Sequence, residues 1–431
     1  MVKKVGVAIL GLGVVGGGAY KTLVNHREYY LKTQNVELTV ESVLVRRKEK
    51  ALALGVPEEH IASNIAEVIA NPAVDIVIET IGGVDAAKEY VMAALREGKT
   101  VVTANKELIC KHSHELERIA KRTGAGLYYE ASCVGGVPII RTLLDGVQSN
   151  SIRQIMGIIN GTTNYILTKM ANEGADYESA LKEAQRLGFA ELDPTNDVEG
   201  YDALYKLSIL SSLAFHTKVP YTKIFREGIA KVTAQDIAYG KDLGYVLKLL
   251  AIGKNSETGV EARVHPTFIP AEHPLASVND SFNAVYVEGD TVGNIMLFGK
   301  GAGEMPTASA VVSDVIYAAT HSEIKYSTFK NTAAADSGVK FISDFISAYY
   351  IRLFVDDSIG SLAKMSSIFA KYGVSIVQIT QKPKDEYGED NERVPLIVIT
   401  HKTKENSVRN AAVKINASGI ATVEAIIRVE A

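Results

Sequence analysis

The chain contains no tryptophan, only two cysteines, little net charge and no long apolar run. Each shortage excludes something. Cys110 and Cys133 are too few for a disulfide framework and their spacing fits no metal motif, so a reducing, cytoplasmic setting is expected. A formal net charge of −4 leaves no basic surplus to neutralise a phosphate backbone, which argues against nucleic-acid binding. The apolar runs fall well short of the roughly 18 residues that a membrane span requires. The opening MVKKVGVAILGLGVVGGG has a basic start and an apolar stretch, but glycines interrupt it and no cleavage-type site follows. It reads as a strand entering a Gly-rich turn, not as a targeting segment. What the chain has in quantity is glycine, 35 residues, and apolar side chains, 47% of 431 residues. That suffices for a sizeable core, many tight turns and two or three domains.

Short strands alternate with helices over the first third. KKVGVAIL is a strand, a helix is expected from Ala19 to about Leu31, and Val36–Val45 is a second strand. Ile76–Ile78, Thr100–Thr103 and Gly126–Tyr129 are further strands, with helices at Asp85–Glu97 and Glu107–Lys121 between them. This alternation predicts a doubly wound parallel sheet of Rossmann type over residues 1–140, completed by about 300–325. Residues 141–299 read as an α+β catalytic and dimerisation domain, with antiparallel strands between Val260 and Leu297 that could pair with a second copy. Residues 326–348 read as a linker. From 349 to 431 the order β-α-β-β-α-β predicts a separate, ferredoxin-like domain.

Three places carry chemistry. Gly11-Leu12-Gly13-Val14-Val15-Gly16 follows the first strand and opens a helix. Gly11 permits the tight turn, Gly13 lets a pyrophosphate approach the backbone, and Gly16 lets helix and strand pack closely. Where an acid for a ribose 2′-hydroxyl would stand, the second strand ends in Arg46, Arg47 and Lys48. This suits the 2′-phosphate of NADP more than NAD, although three basic residues would equally form a solvated surface. Thr80 and Lys106 lie at the carboxyl ends of the next strands, which line the ligand crevice of such sheets. The stretch GFAELDPTNDVEGYDALYK gathers Glu191, Asp193, Asp197, Glu199 and Asp202, and sets Lys206 one helical turn after Asp202. Carboxylates converging with an ammonium suit a zwitterionic metabolite, its amino group held by the acids and the lysine free for proton transfer. On a solvated face the same residues would form only an ordinary ion pair of about 0.5 kcal/mol. Glu130 precedes the irregular turn Cys133-Val134-Gly135-Gly136-Val137, whose carbonyls could converge on a hard cation or form a plain tight loop.

In that order, GLGVVG, TANKE, EASCVGGVPII, NGTTNYIL, GFAELDPTNDVEGYDALYKL and GAGEMPTASAV resemble homoserine dehydrogenase over about residues 1–325. The tail motif IGSLAKMSSIFAKYGVSI resembles an ACT regulatory domain. The resemblance implies NAD(P)-dependent interconversion of L-homoserine and L-aspartate 4-semialdehyde in threonine, methionine and isoleucine biosynthesis. It implies Lys206 as proton donor and acceptor, assisted by Lys106, and Glu191 and Asp202 as ligands of the substrate amino group. Gly188, Glu191 and Gly303 would also lie at the cofactor. Glu130, with the carbonyls of Cys133, Gly135 and Val137, would hold a monovalent ion such as Na⁺. A thiol at Cys133 departs from many members, which matters little if only its carbonyl binds. For the tail two readings stand: an amino-acid effector, threonine, bound near Gly360, or a domain used only for oligomerisation. The exposed strands of 260–297 point to a homodimer through that sheet, and the tails could extend it to a homotetramer. Two alternatives remain: a non-catalytic dinucleotide-binding amino-acid sensor, and another amino-acid-linked reductase. An aspartate-semialdehyde dehydrogenase would need an activated thiolate, and Cys133 has no histidine nearby in sequence.

Overall fold

The computed structural model describes residues 2–321, 338–381 and 393–430; most of the expected linker, 326–337, lies outside them. The first sheet is built from β1 (Lys3–Leu10), β2 (Val36–Leu44), β3 (Ile61–Ala62), β4 (Ile76–Glu79), β5 (Thr100–Thr103) and β6 (Leu127–Tyr128). All pairs are parallel and the order is β3-β2-β1-β4-β5-β6. Val5 to Leu10 are all buried, as a central strand covered on both faces requires. The first helix differs from expectation. It begins at Val14, directly after Gly13, and ends at Asn25, with Arg27–Gln34 forming a second helix. Its glycines serve packing: a Cβ on Gly16 would lie 1.9 Å from the Gly11 carbonyl oxygen, and one on Gly18 would lie 2.9 Å from Glu304. The helix Glu304–Thr320 therefore returns from far along the chain to complete this layer.

The second sheet begins with β7 (Ile152–Ile158), to which β8 (Phe225–Arg226), β9 (Tyr245–Ser256), β10 (Gly259–Pro270), β11 (Phe282–Gly289) and β12 (Gly293–Lys300) are added. β9 lies outside the region where antiparallel strands are expected, yet it pairs with β10 along its full length. On one face lie the helices Gly161–Glu173, Ala234–Asp242 and Tyr201–Ala214. The tail contributes β13 (Ile346–Asp356), β14 (Ile376–Gln381), β15 (Arg393–Thr400), β16 (Thr403–Lys404) and β17 (Ala421–Val429), with helices Ser361–Lys371 and Glu405–Ser418. Its order β17-β13-β15-β14 is the ferredoxin-like arrangement, around a core that includes Tyr349, Leu353, Phe369, Val398 and Val408. The tail is nonetheless attached. β17 pairs in parallel with β10, joining Thr267 to Arg428 and Phe268 to Val429, so the two sheets run on as one.

Candidate active site

Strands β1, β4 and β5 end level: Leu10 pairs with Glu79, and Glu79 with Thr103. Beyond these ends, at the point where strand order reverses between β1 and β4, a cleft of about 660 Å³ opens. Gly11, Leu12, Gly13, Arg46, Arg47 and Thr80 line it, together with Lys50, Ser63, Asn64 and Tyr90. Nothing stands within 4 Å of a Cβ built on Gly13, so the backbone there is open to the cleft, and Gly11 needs its φ of 91° for the turn. Thr80 is turned inward, its hydroxyl donating to the Leu10 and Gly11 carbonyls at 3.1 and 2.9 Å. Val14 and Val15 form the helix start, with no side-chain cap, and the first N–H groups of a helix have no intrahelical partner and can take a phosphate. Gly303 (φ 123°) opens the helix that packs on this one. These residues fit a dinucleotide.

A side-chain cluster forms where this edge meets the second sheet. Asn105 caps the helix Lys106–Thr123 through Leu108 N–H, which places Lys106 three residues beyond β5. The helix Tyr201–Ala214 packs against it. Lys206 Nζ lies 2.7 Å from Asp202 Oδ2, and Lys106 Nζ lies 2.7 Å from Asp202 Oδ1. One carboxylate thus bridges two ammonium groups from two helices. Lys206 also donates to the Ile159 carbonyl at 2.8 Å, and Asn160 Nδ2 donates to Asp202 at 2.9 Å and to Asp197 at 2.7 Å. Asp202 and Lys206 are 5% and 9% exposed, so these pairs act without the screening of bulk water. Burial alone would raise the Asp202 carboxyl. The Lys206 and Lys106 charges and the Asn160 hydrogen bond outweigh it and hold the group well below the usual carboxylate range. The Asp202 charge in turn holds Lys106 above the ordinary lysine value, against burial. Burial, then the Asp202 charge, pushes Asp197 upward. Glu79, fully buried, ties β4 to β5 by accepting from Thr103 Oγ1 at 2.6 Å, and burial raises its carboxyl.

The other expected site residues are placed variously. Gly188 (φ 78°) and Glu191 lie on an exposed loop, and the structure does not bring the Glu191 side chain into the cluster. That loop is tied down by Thr162 Oγ1, which donates to the Phe189 carbonyl at 2.6 Å. Glu130 is buried with both carboxylate oxygens occupied, accepting from Ile140 N–H at 2.9 Å and Arg141 N–H at 2.7 Å. Val134 and Gly135 are both left-handed (φ 54° and 39°), which bends the chain sharply here. Among the described residues the Cys133 and Gly135 carbonyls accept no backbone hydrogen bond, whereas Val137 accepts from Ile139 N–H at 2.8 Å. The donors this turn offers, the Glu130 carboxylate and the Cys133, Gly135 and Val137 carbonyls, are all oxygens, the set that suits a hard cation. Among the described residues no group of three or more His, Cys, Asp or Glu side chains could hold a metal ion. Cys133 is fully buried and its thiol is pushed up to about 12 by burial, which suits no nucleophile. Gly360 (φ 90°) caps the helix Ser361–Lys371 at the surface of the tail. Sequence reasoning missed Asn160 as a partner of Asp202, although it heads NGTT and its N-cap role could have been read there.

A glycine turn at the switch point of a parallel sheet, with an acid–lysine cluster at the same edge, defines a nicotinamide-dinucleotide oxidoreductase. Residues 11–130 match the family described as homoserine dehydrogenase, NAD binding domain, and residues 138–316 match homoserine dehydrogenase itself. The chain is 42% identical to homoserine dehydrogenase of Bacillus subtilis over 94% of this chain and 93% of that one. It superimposes on the crystal structure of a homoserine dehydrogenase from Thiobacillus denitrificans with a TM-score of 0.92, at 39% identity, covering 99% of this chain and 98% of that one. A hyperthermophilic archaeal homoserine dehydrogenase in complex with NADPH matches over 73% of this chain and 97% of its own, with a TM-score of 0.63 and 29% identity. The chain belongs to the homoserine dehydrogenase family.

Proposed function

We propose that Asp202, Lys206 and Lys106 form the centre at which L-homoserine and L-aspartate 4-semialdehyde are interconverted. The observation that carries this reading is the single buried carboxylate bridging two lysines at the carboxyl edge of the nucleotide-binding sheet. A substrate ammonium entering the cluster competes for Asp202, with Glu191 closing from the exposed loop, and releases a lysine toward the alcohol. In oxidation, neutral Lys206 takes the hydroxyl proton. In reduction, its ammonium stabilises the charge developing on the carbonyl oxygen and then protonates it. The bound nicotinamide supplies the other half of the chemistry, accepting or returning one hydride. Lys106 orients the substrate and shares its charge. Replacing Lys206 by Ala should lower homoserine oxidation at least about 10³-fold while cofactor affinity stays within about twofold. A variant with normal turnover would refute the assignment.

Further parts of the reading rest on individual features. Arg46 and Arg47 in the cleft, with no acid among its lining residues, support NADP over NAD. The archaeal relative in complex with NADPH supports the same preference. Gly188, Glu191 and Gly303 would complete the cofactor site on closure of the loop. Glu130 and the carbonyls of Cys133, Gly135 and Val137 would hold Na⁺. β12 is an edge strand with Met296 and Phe298 exposed, which supports a homodimer through that sheet, with a tetramer through the tails. The chain divides at about residues 140, 299 and 349, and the last unit is an ACT-like domain that takes threonine near Gly360. The setting is cytoplasmic.

A further inference from the structure

The start of the catalytic helix is held from behind by one short segment, residues 225–229. Arg226 donates to the Glu199 carbonyl, lies 3.2 Å from Glu199 Oε2, and stacks on the Tyr201 ring at 3.8 Å. Glu199, Gly200 and Tyr201 are the three residues before Asp202. Ile229 N–H donates to the Val198 carbonyl at 2.9 Å. Gly228 sits so close that an added Cβ would lie 2.4 Å from that carbonyl oxygen. The same segment is gripped from the other side by the C-terminal domain. Arg428 of β17, fully buried, donates to Glu227 Oε2 at 2.6 Å, and Arg409 lies 3.5 Å from the same oxygen. Arg428 is fixed in turn by Glu405, and Glu227 N–H by the Val264 carbonyl of β10 at 2.8 Å. Arg226, the last residue of β8, and Glu227, the next one, have different partners: the Glu199–Tyr201 turn for the first and Arg428 and Arg409 for the second. One reaches the catalytic turn and the other reaches the tail.

We propose that Arg226 is a positioning residue for the reaction, and that the C-terminal domain sets the stance of Asp202 and Lys206 through Arg428 and Glu227. This rests on the reading of Asp202 and Lys206 as catalytic. It makes the tail a working part of the catalytic unit through a covalently short route: one peptide bond joins the residue held by the tail to the residue that holds the turn. A displacement of about 1 Å at a reacting group can cost about 10²-fold in rate, so a loosened turn need not unfold anything to be felt.

The test uses the full chain and compares homoserine oxidation, cofactor affinity and melting temperature for Arg226→Ala, Arg226→Lys, Glu227→Gln and the double variant Arg226→Ala/Glu227→Gln. Arg226→Ala should lose roughly 10–100-fold in kcat/KM for homoserine with cofactor affinity within about twofold. Arg226→Lys should recover part of the loss, since the charge at Glu199 returns without the planar fork. Glu227→Gln should cost about 3-fold, and the double variant should be no worse than Arg226→Ala within about twofold, because a strap cut at one end gains nothing from the other. Multiplying losses in the double variant, or wild-type kcat/KM in Arg226→Ala, would overturn the proposal. So would a loss that falls equally on cofactor binding or disappears on cooling, which would mark a merely structural role. A Lys206→Ala enzyme that still turns over would instead remove the site reading beneath it.

Discussion

Replacing Asp202 by Asn keeps the shape of the site and removes the charge between the two lysines. Both oxygens are engaged, at 2.7 Å to Lys206 and 2.7 Å to Lys106, and the side chain is 6% exposed. Losing one member of a buried pair typically costs about 3–5 kcal/mol. The Lys106 side chain is 42% exposed and can turn its ammonium to water, so its share is largely screened. A loss of about 2–4 kcal/mol at pH 7 follows. The pH dependence has a definite sign. The folded carboxyl lies below its unfolded value of about 3.9, so ionised Asp202 stabilises the fold above that pH. The contribution fades as pH falls toward the folded value, so the gap between wild type and variant should narrow below about pH 4. Activity should fall as well, because the substrate ammonium loses a charged hydrogen bond of about 1.5–3 kcal/mol, roughly 10–100-fold in kcat/KM. Lys106, no longer held up by the carboxylate, should titrate lower, moving the alkaline limb of homoserine oxidation toward neutral pH. Urea unfolding at several pH values and a pH–rate profile check both parts. Unchanged stability at pH 7 together with a wild-type profile would refute the reasoning.

Glu117 is buried with neither carboxylate oxygen hydrogen-bonded, and burial pushes it up to about 7. Because its folded pKa is raised, its stabilising contribution is complete below about pH 4.3 and is lost as pH rises through 7. Glu117→Leu should therefore stabilise the protein at pH 8 by about 1–3 kcal/mol in urea unfolding; a destabilised variant at that pH would count against it. Gly16→Ala places a methyl 1.9 Å from the Gly11 carbonyl and 2.5 Å from Thr80 Oγ1, so titrated cofactor binding should fall at least about tenfold. Arg46→Ala should raise KM for NADP roughly 10–100-fold and leave NAD nearly unchanged; equal effects on both would remove the 2′-phosphate assignment.

Much of this architecture is legible in the chain because local and global signals agree. The buried run Val5–Leu10 followed by Gly11, Gly13 and Gly16 specifies a strand, a turn and a close helix, and the sheet order follows. The spacing of Asp202 and Lys206 specifies their pairing, which the structure contains. Lys106 is legible only as a strand-end residue. That it shares Asp202 depends on two helices whose first residues, Lys106 and Tyr201, are 95 positions apart, and no local pattern encodes their packing. The Ile159 carbonyl that accepts from Lys206 is backbone and carries no side-chain signal at all. The first helix starts earlier than expected because Gly16 and Gly18, poor helix formers, serve tertiary contacts with Gly11 and Glu304. The tail's β-α-β-β-α-β order is written in its periodicity, but its fusion to β10 is not, since two registered pairs at a strand end leave no pattern. Glu191 remains on its exposed loop, where sequence proximity to Asp202 does not translate into contact.

The most direct measurement is a crystal structure of the ternary complex with L-homoserine and the oxidised cofactor. The homoserine ammonium is predicted within about 3 Å of Asp202 and its hydroxyl oxygen within about 3 Å of Lys206 Nζ, above the Gly11–Gly16 turn. Homoserine seated with its ammonium away from Asp202, or its hydroxyl beyond the reach of both lysines, would contradict the account.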